Sequence, residues 1–396
     1  MTRSSSSTSS SEAAPPDRDE PATVRGAAST AIWTVLALLA GDLAVGRLFR
    51  PPQNQRVEPS ALQRYFEYGR SVEGKLRAMV GPDEASSAPV ARAGWLRNPE
   101  FADELKRATQ PDHLLIAAYG QSFTNHVMQD ASRLDPRVET RLLAGPAAPL
   151  SHSYALYESD RHSHQAQVVV IGVLASALPQ LATLTPMTWG FEAPTPYMYP
   201  RYRVVGGRLE ARAPPLQTLD DLRATLADRT RWTALRDLLA TEDAAFDRVA
   251  FGEDLFDRLT LGRMIRRALG HQHQVSFTAR YHDASGFKNQ DGILDVARAL
   301  LLELGRTAAA DGRLPIVLLF DDRGYPGHLD AALARTLDEA HIAYVSSDAI
   351  APASDLNNFI PNGHFTPQID ERMARLFLER VYQLLPAFRP ANADAR

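Results

Sequence analysis

The residues best placed to do chemistry begin at Ser122. In AAYGQSFTNH, residues 117–126, an apolar run that starts at Leu114 stops at Tyr119-Gly120, and the serine follows with a polar tail. A residue at the carboxyl end of a buried parallel strand, opening the next helix, sits where α/β proteins bind ligands. There a serine hydroxyl lies beside free helix N-terminal amides, whose dipole favours the anion formed when an acyl carbonyl is attacked. Such a hydroxyl needs a base, and the base needs an imidazole held in one tautomer. The best imidazole is His364 in DLNNFIPNGHFTPQID, on a loop after the last strand and before the final amphipathic helix. Taken singly, Ser122 reads as a helix N-cap and His364 as a loop histidine. Their joint placement, first strand and last loop, is what points to a nucleophile and its base.

The elements that must position them follow from hydrophobic pattern. Short apolar runs predict strands at 113–119, 138–144, 167–174, 315–321 and 342–347, and their continuous Val/Ile/Leu character suits parallel strands covered on both faces. Amphipathic stretches predict helices at 123–133, 150–162, 219–240, 254–269, 290–310, 327–340 and 368–384. Alternation of the two is the signature of an α/β three-layer sandwich around a mainly parallel sheet of about five strands. Between 179 and 290 the alternation breaks down, which reads as an insertion at the sheet edge or over its carboxyl ends, with a small hairpin at Gly206-Gly207.

The rest of the chain sets bounds. With 396 residues and 44% apolar side chains, it can bury a sizeable core. A net charge of −4 gives no broad electrostatic case for a nucleic-acid partner, and the absence of cysteine excludes disulfides, thiol catalysis and thiolate-bound metal. Residues 1–25 are Ser-rich, then Pro- and charge-rich, and read as a disordered tail. Residues 26–49 hold an apolar run, interrupted at Asp42, that is long enough for a transmembrane anchor; the competing reading is a buried core helix. Arg47, Arg50 and Arg56 after this run, against Arg18 and Arg25 before it, mildly favour a cytoplasmic main domain. A helical linker region follows over 50–110, with helices at 60–80 and 99–109, and then the main domain over 111–390. His162-Ser-His164 and His271-Gln-His273 have a spacing that on a strand would bring two imidazoles together, but no carboxylate cluster completes a metal site, and no cofactor is expected. Asp321-Asp322 reads as a turn or helix cap, and the aromatics of MTWGFEAPTPYMYPRY as packing under the insertion rather than sugar-binding faces.

With these residues in place, the sequence resembles the SGNH (GDSL-type) hydrolases, particularly the membrane-anchored branch related to polysaccharide O-acetylation proteins. Their first block, Gly-Asp-Ser-Phe-Thr, is similar to Gly120-Gln121-Ser122-Phe123-Thr124. Their second-block glycine looks like Gly145, and their third block is similar to VVVIGVLASAL, with Ala177 where the family has asparagine. Their terminal Asp-Gly-His-Trp/Phe is similar to Asn362-Gly363-His364-Phe365. GDLAVGRLFRPP resembles the anchor end, and PRYRVVGGRLEARAPP a hairpin, of that branch. The resemblance covers residues 110–385 and the anchor.

It implies a flavodoxin-like SGNH hydrolase fold behind a single-pass anchor, with the soluble domain extracytoplasmic or periplasmic. It also implies a serine esterase or O-acyltransferase acting on an acyl ester, such as O-acetyl groups on a surface or secreted glycan. Ser122 would be the nucleophile, His364 the base and Asn362 its orienter, with the amides of Ser122 and Gly145 holding the oxyanion. Gln121, Asn125, Ser176, Asp348 and Asp355 are the residues that could support them. Losing the third-block donor costs about 10² to 10³ in rate, and replacing an orienting aspartate has cost about 10⁴. The alternative is therefore a catalytically impaired binding or assembly protein that keeps the fold and the membrane anchor. Oligomeric state is open.

Overall fold

The computed structural model describes residues 24–50, 60–97 and 106–390. The chain divides into two units, Met1–Glu58 and Pro59–Arg396. In the first, α1 (Val24–Leu48) contains the stretch Gly26–Leu48, which is long and apolar enough to cross a membrane or to serve as a signal sequence. Ile32, Trp33, Leu38 and Leu43 are exposed along it, unlike the side chains of a buried core helix. Residues 1–23, assigned to the disordered tail, lie outside the described residues.

The second unit is built on a five-stranded parallel sheet. Its strands are β1 (Leu114–Gly120), β2 (Val138–Ala144), β3 (Val168–Leu174), β6 (Leu314–Phe320) and β7 (Ala343–Ser346), in the order β2-β1-β3-β6-β7. A separate antiparallel hairpin, β4 (Arg201–Val205) and β5 (Arg208–Arg212), turns at Gly206-Gly207, both with positive φ. Setting the hairpin aside, the order is that of a doubly wound sheet, with its switch point between β1 and β3.

Each central strand is buried on both faces, which is why β1 and β3 are apolar without alternation. On one face Leu114, Ile116 and Ala118 pack under α2 (Ser122–Leu134) and α7 (Pro367–Leu384). On the other, Leu115, Ala117 and Tyr119 pack under α3 (Leu150–Asp160), α5 (Ile293–Ala310) and α6 (His328–Glu339). Each of these five helices lies within two residues of its expected bounds except at the start of α5, which the αL residue Gly292 delays to Ile293.

Four expectations are corrected. The helix at 60–80 is two, Ala61–Glu67 and Val72–Met79, because a Cβ at Gly69 would collide with the Arg263 carbonyl, and Ser71 caps the second. The helix at 219–240 breaks at Asp228, whose carboxylate accepts from the amides of Thr230 and Arg231 and so restarts the chain as Arg229–Glu242. The helix at 254–269 is instead α4 (Thr260–Tyr281), preceded by a 3₁₀ turn that Asp254 caps. Of the helix at 99–109, residues 98–105 lie outside the described residues, and Lys106 forms a bridge with His164 instead of a helical turn.

Residues 72–95, within the region read as a helical linker, join a core. Val72, Leu76, Ala91 and Trp95 share one buried cluster with Met187, Tyr197, Leu222, Trp232 and Phe251 of the insertion. Arg266 of α4, fully buried, pairs with Asp257, whose carboxylate accepts from the Ser71 amide. The insertion and residues 72–95 thus build a second core that belongs to the same unit as the sheet.

Candidate active site

Ser122 is the first residue of α2, directly after β1. Two glycines let the helix start close to the sheet. Gly120 ends β1, and Gly172 lies one residue past the Tyr119–Ile171 rung on β3; a Cβ on either would collide with the Thr124 hydroxyl. Thr124 is fully buried there, so the first turn of α2 rests on a flat spot in the sheet. The amides of Ser122, Phe123 and Thr124 precede the first helical bond, from the Asn125 N–H to the Gln121 carbonyl, and no side chain caps them.

His364 reaches the serine from the loop between β7 and α7. That loop is a tight turn: Ile360 N–H donates to the His364 carbonyl at 2.8 Å, Gly363 N–H to the Ile360 carbonyl at 2.9 Å, and Gly363 takes φ +91°. Phe365, buried against Phe123, Phe320 and Phe359, pins it to the core. The His364 ring lies stacked on Phe123 at 5.1 Å. Its Nε2 is 2.6 Å from Ser122 Oγ, and its Nδ1 is 3.1 Å from Asn362 Oδ1, which also accepts from the His364 amide at 3.2 Å. The amide oxygen can only accept, so Nδ1 carries the proton and Nε2 is left as the base facing the hydroxyl. Burial lowers the His364 pKa, and the neighbouring His126 lowers it further.

Ser122, His364 and Asn362 are therefore brought together; the other site residues are not. The Gly145 amide donates to the Gly120 carbonyl at 3.1 Å, because the parallel ladder of β1 and β2 runs one rung past the strand ends. That amide is engaged in the ladder here, whereas no side chain caps the first turn of α2. Gln121 is fully buried; its Oε1 accepts from Thr124 Oγ1, and its Nε2 has no partner among the described residues. Asn125 accepts from Gln129, Asp355 caps Asn357, and the Ser176 amide donates to Asp322. Asp348, at the start of the loop that carries His364, lies beside Gly327.

Asp321 accepts from the Leu329 amide at the start of α6, and Asp322 from Ser176, so the pair acts as cap and turn. His271 and His273 lie on helix α4, not on a strand. His164 is buried, accepting from the Ala166 amide and donating to Tyr119, which donates to the Asp160 carboxylate that Arg141 pairs with. Tyr197, Met198 and Tyr199 are buried. They support the site from behind: the Tyr197 hydroxyl donates to the Pro146 carbonyl at 2.8 Å, in the turn Gly145–Ala148 where Ala147 takes φ +50°. A groove of about 930 Å³ between the hairpin, α3 and α5 is lined by Tyr154, Glu158, Tyr202, Arg208 and Arg306, and reaches neither Ser122 nor His364.

Two residues near the site carry no motif. His126 sits one turn after Ser122 on α2, with its ring 5.3 Å from that of His364, and its Nδ1 is 3.1 Å from Asp370 Oδ2 on α7. The i, i+4 spacing from Ser122 was the available signal for His126; nothing local marks Asp370. Neither a protein-family model nor a curated protein matches this chain, so the chemistry of the site is read from its geometry.

Proposed function

We propose that the protein is a serine esterase or O-acyltransferase of the SGNH type. In the first step Ser122 Oγ attacks an acyl-ester carbonyl while His364 Nε2 takes the hydroxyl proton. The tetrahedral intermediate then collapses, the ester C–O bond breaks, and the imidazolium returns the proton to the leaving alcohol. In the second step His364 deprotonates either water or a sugar hydroxyl, which attacks the acyl-serine and restores the free enzyme. The amides at the start of α2 face the developing oxyanion, and Asn362 keeps His364 in the reactive tautomer. A glycan ester presented outside the cytoplasm is the substrate class that the sequence resemblance favours, with α1 tethering the domain to the membrane.

The observation that carries this reading is the line Ser122 Oγ, His364 Nε2, His364 Nδ1, Asn362 Oδ1, with contacts of 2.6 and 3.1 Å. The test is covalent labelling of the full chain in detergent with a fluorophosphonate. Labelling that disappears in Ser122→Ala and His364→Ala supports an activated serine.

A second reading, a binding or assembly protein with impaired chemistry, is favoured by the bond that occupies the Gly145 amide. The absence of labelling in a folded wild-type chain would select it.

A further inference from the structure

His364 has a neutral orienter. When it takes the serine proton it becomes an imidazolium, and Asn362 can offer that cation a dipole but no charge. Ionisable groups that could offer one are on the two helices flanking the loop. His126, on α2, has its ring tilted at 41° and 5.3 Å from the His364 ring. Behind it, Asp370 in the first turn of α7 holds His126 Nδ1 at 3.1 Å through Oδ2. Asp370 is 5% exposed, and its Oδ1 has no partner among the described residues. A buried carboxylate with a free oxygen is held ionised by little except its histidine, and burial raises its pKa accordingly.

The other charged groups facing this pair are few. Asp130, a turn further along α2, adds a negative charge that raises the Asp370 pKa further, while pairing with Arg133, which also reaches Glu371 on α7. The loop contributes only His364 and Asn362.

From this geometry we infer that His126 and Asp370 form the electrostatic partner of His364, supplying from the helices the negative charge that Asn362 lacks. The inference deepens the proposed Ser122–His364 chemistry and rests on it. With His126 neutral, the pair carries one net negative charge and attracts the imidazolium as it forms. His126 itself lowers the His364 pKa, so the two members act on the imidazolium in opposite senses. Both residues are positioning groups, acting on the serine only through His364.

The test uses the full chain in detergent and two polar variants, with folding followed by thermal denaturation. Asp370→Asn removes the charge; the plateau rate of fluorophosphonate labelling should fall about tenfold, and the acid limb should move to lower pH. His126→Asn keeps a donor for Asp370 and leaves its charge in place while removing the neighbour that lowers the His364 pKa; the acid limb should move to higher pH. A structural role would change rate or stability without these opposite changes in profile. The His364 imidazole titration, followed by NMR on the ¹⁵N-histidine-labelled chain, should move to lower pH in Asp370→Asn. If both variants keep the wild-type profile and the titration does not move, the inference falls while Ser122 labelling still stands. If wild type is not labelled but the titration moves, the coupling stands and the serine chemistry falls.

Discussion

The amide of Gly145 donates to the carbonyl of Gly120 at 3.1 Å, so the turn after β2 is stitched to the end of the strand that leads into Ser122. Behind it, Tyr197 holds the Pro146 carbonyl, and the fully buried His152 donates through Nε2 to the Gly94 carbonyl at 2.6 Å. Because the Gly145 amide is already committed, loosening this turn should not reach the serine. Tyr197→Phe is expected to lower stability by about 1 to 2 kcal/mol, the cost of an unpaired buried carbonyl, while the labelling rate stays within about twofold. A loss of labelling beyond about tenfold would mean that Gly145 turns toward the oxyanion during reaction, since a missing oxyanion donor costs about 10² to 10³.

The two glycines under Thr124 make a sharper demand. Gly172→Ala would drive a methyl group into the Thr124 hydroxyl and push the first turn of α2 off the sheet, carrying Ser122 away from His364. Overpacking of this kind costs about 1 to 3 kcal/mol. Thermal denaturation should register that cost, and labelling should fall by more than stability alone explains. Thr124→Ala in the same chain removes the colliding hydroxyl and should restore part of both.

The labelling rate should also report the His364 environment through pH. The base must be neutral to accept the serine proton, and burial lowers its pKa. The acid limb of labelling is therefore expected below the ordinary histidine value of about 6.5. Asn362→Asp would place a carboxylate on Nδ1, stabilise the imidazolium, and move that limb to higher pH. A rise of about tenfold or more in plateau rate is expected, set against the roughly 10⁴ lost when a serine triad's aspartate is amidated. An unchanged limb would show that Asn362 does not govern His364.

Arg266 offers a check on the second core. Its guanidinium is fully buried, pairs with Asp257 at 2.8 Å and with Asp254, and donates to the Val249 carbonyl at 3.0 Å. Removing one partner of a buried pair leaves an uncompensated charge and costs about 3 to 5 kcal/mol. Arg266→Ala should lower the unfolding free energy by that amount and detach residues 60–97 from the insertion, which limited proteolysis would detect as cleavage near Ser71. Equal protection in wild type and variant would remove the pair as the link.

The sequence by itself determined the sheet and which serine and histidine meet, Ser122 and His364. The apolar runs of β1 and β3 are long enough and uniform enough to read only as two-sided strands, and a serine at such a strand's end has its position dictated locally. His364 was legible because Pro361, Gly363 and the amphipathic helix after it mark a loop, and Asn362 because it lies two residues away. Tertiary structure decided the rest. Whether Asn362, Asp348 or Asp355 meets Nδ1 depends on how the loop folds back through Gly363 and Phe365, a contact no local pattern encodes. The Gly145 amide reads as a free donor until the register of β1 against β2 is known, because that register assigns it to Gly120. The break at Gly69 is set by the Arg263 backbone, far along the chain. Asp370 and His126 meet only because α2 and α7 pack side by side on one face of the sheet. Local periodicity reports what each segment buries, whereas these contacts depend on which segment it is buried against.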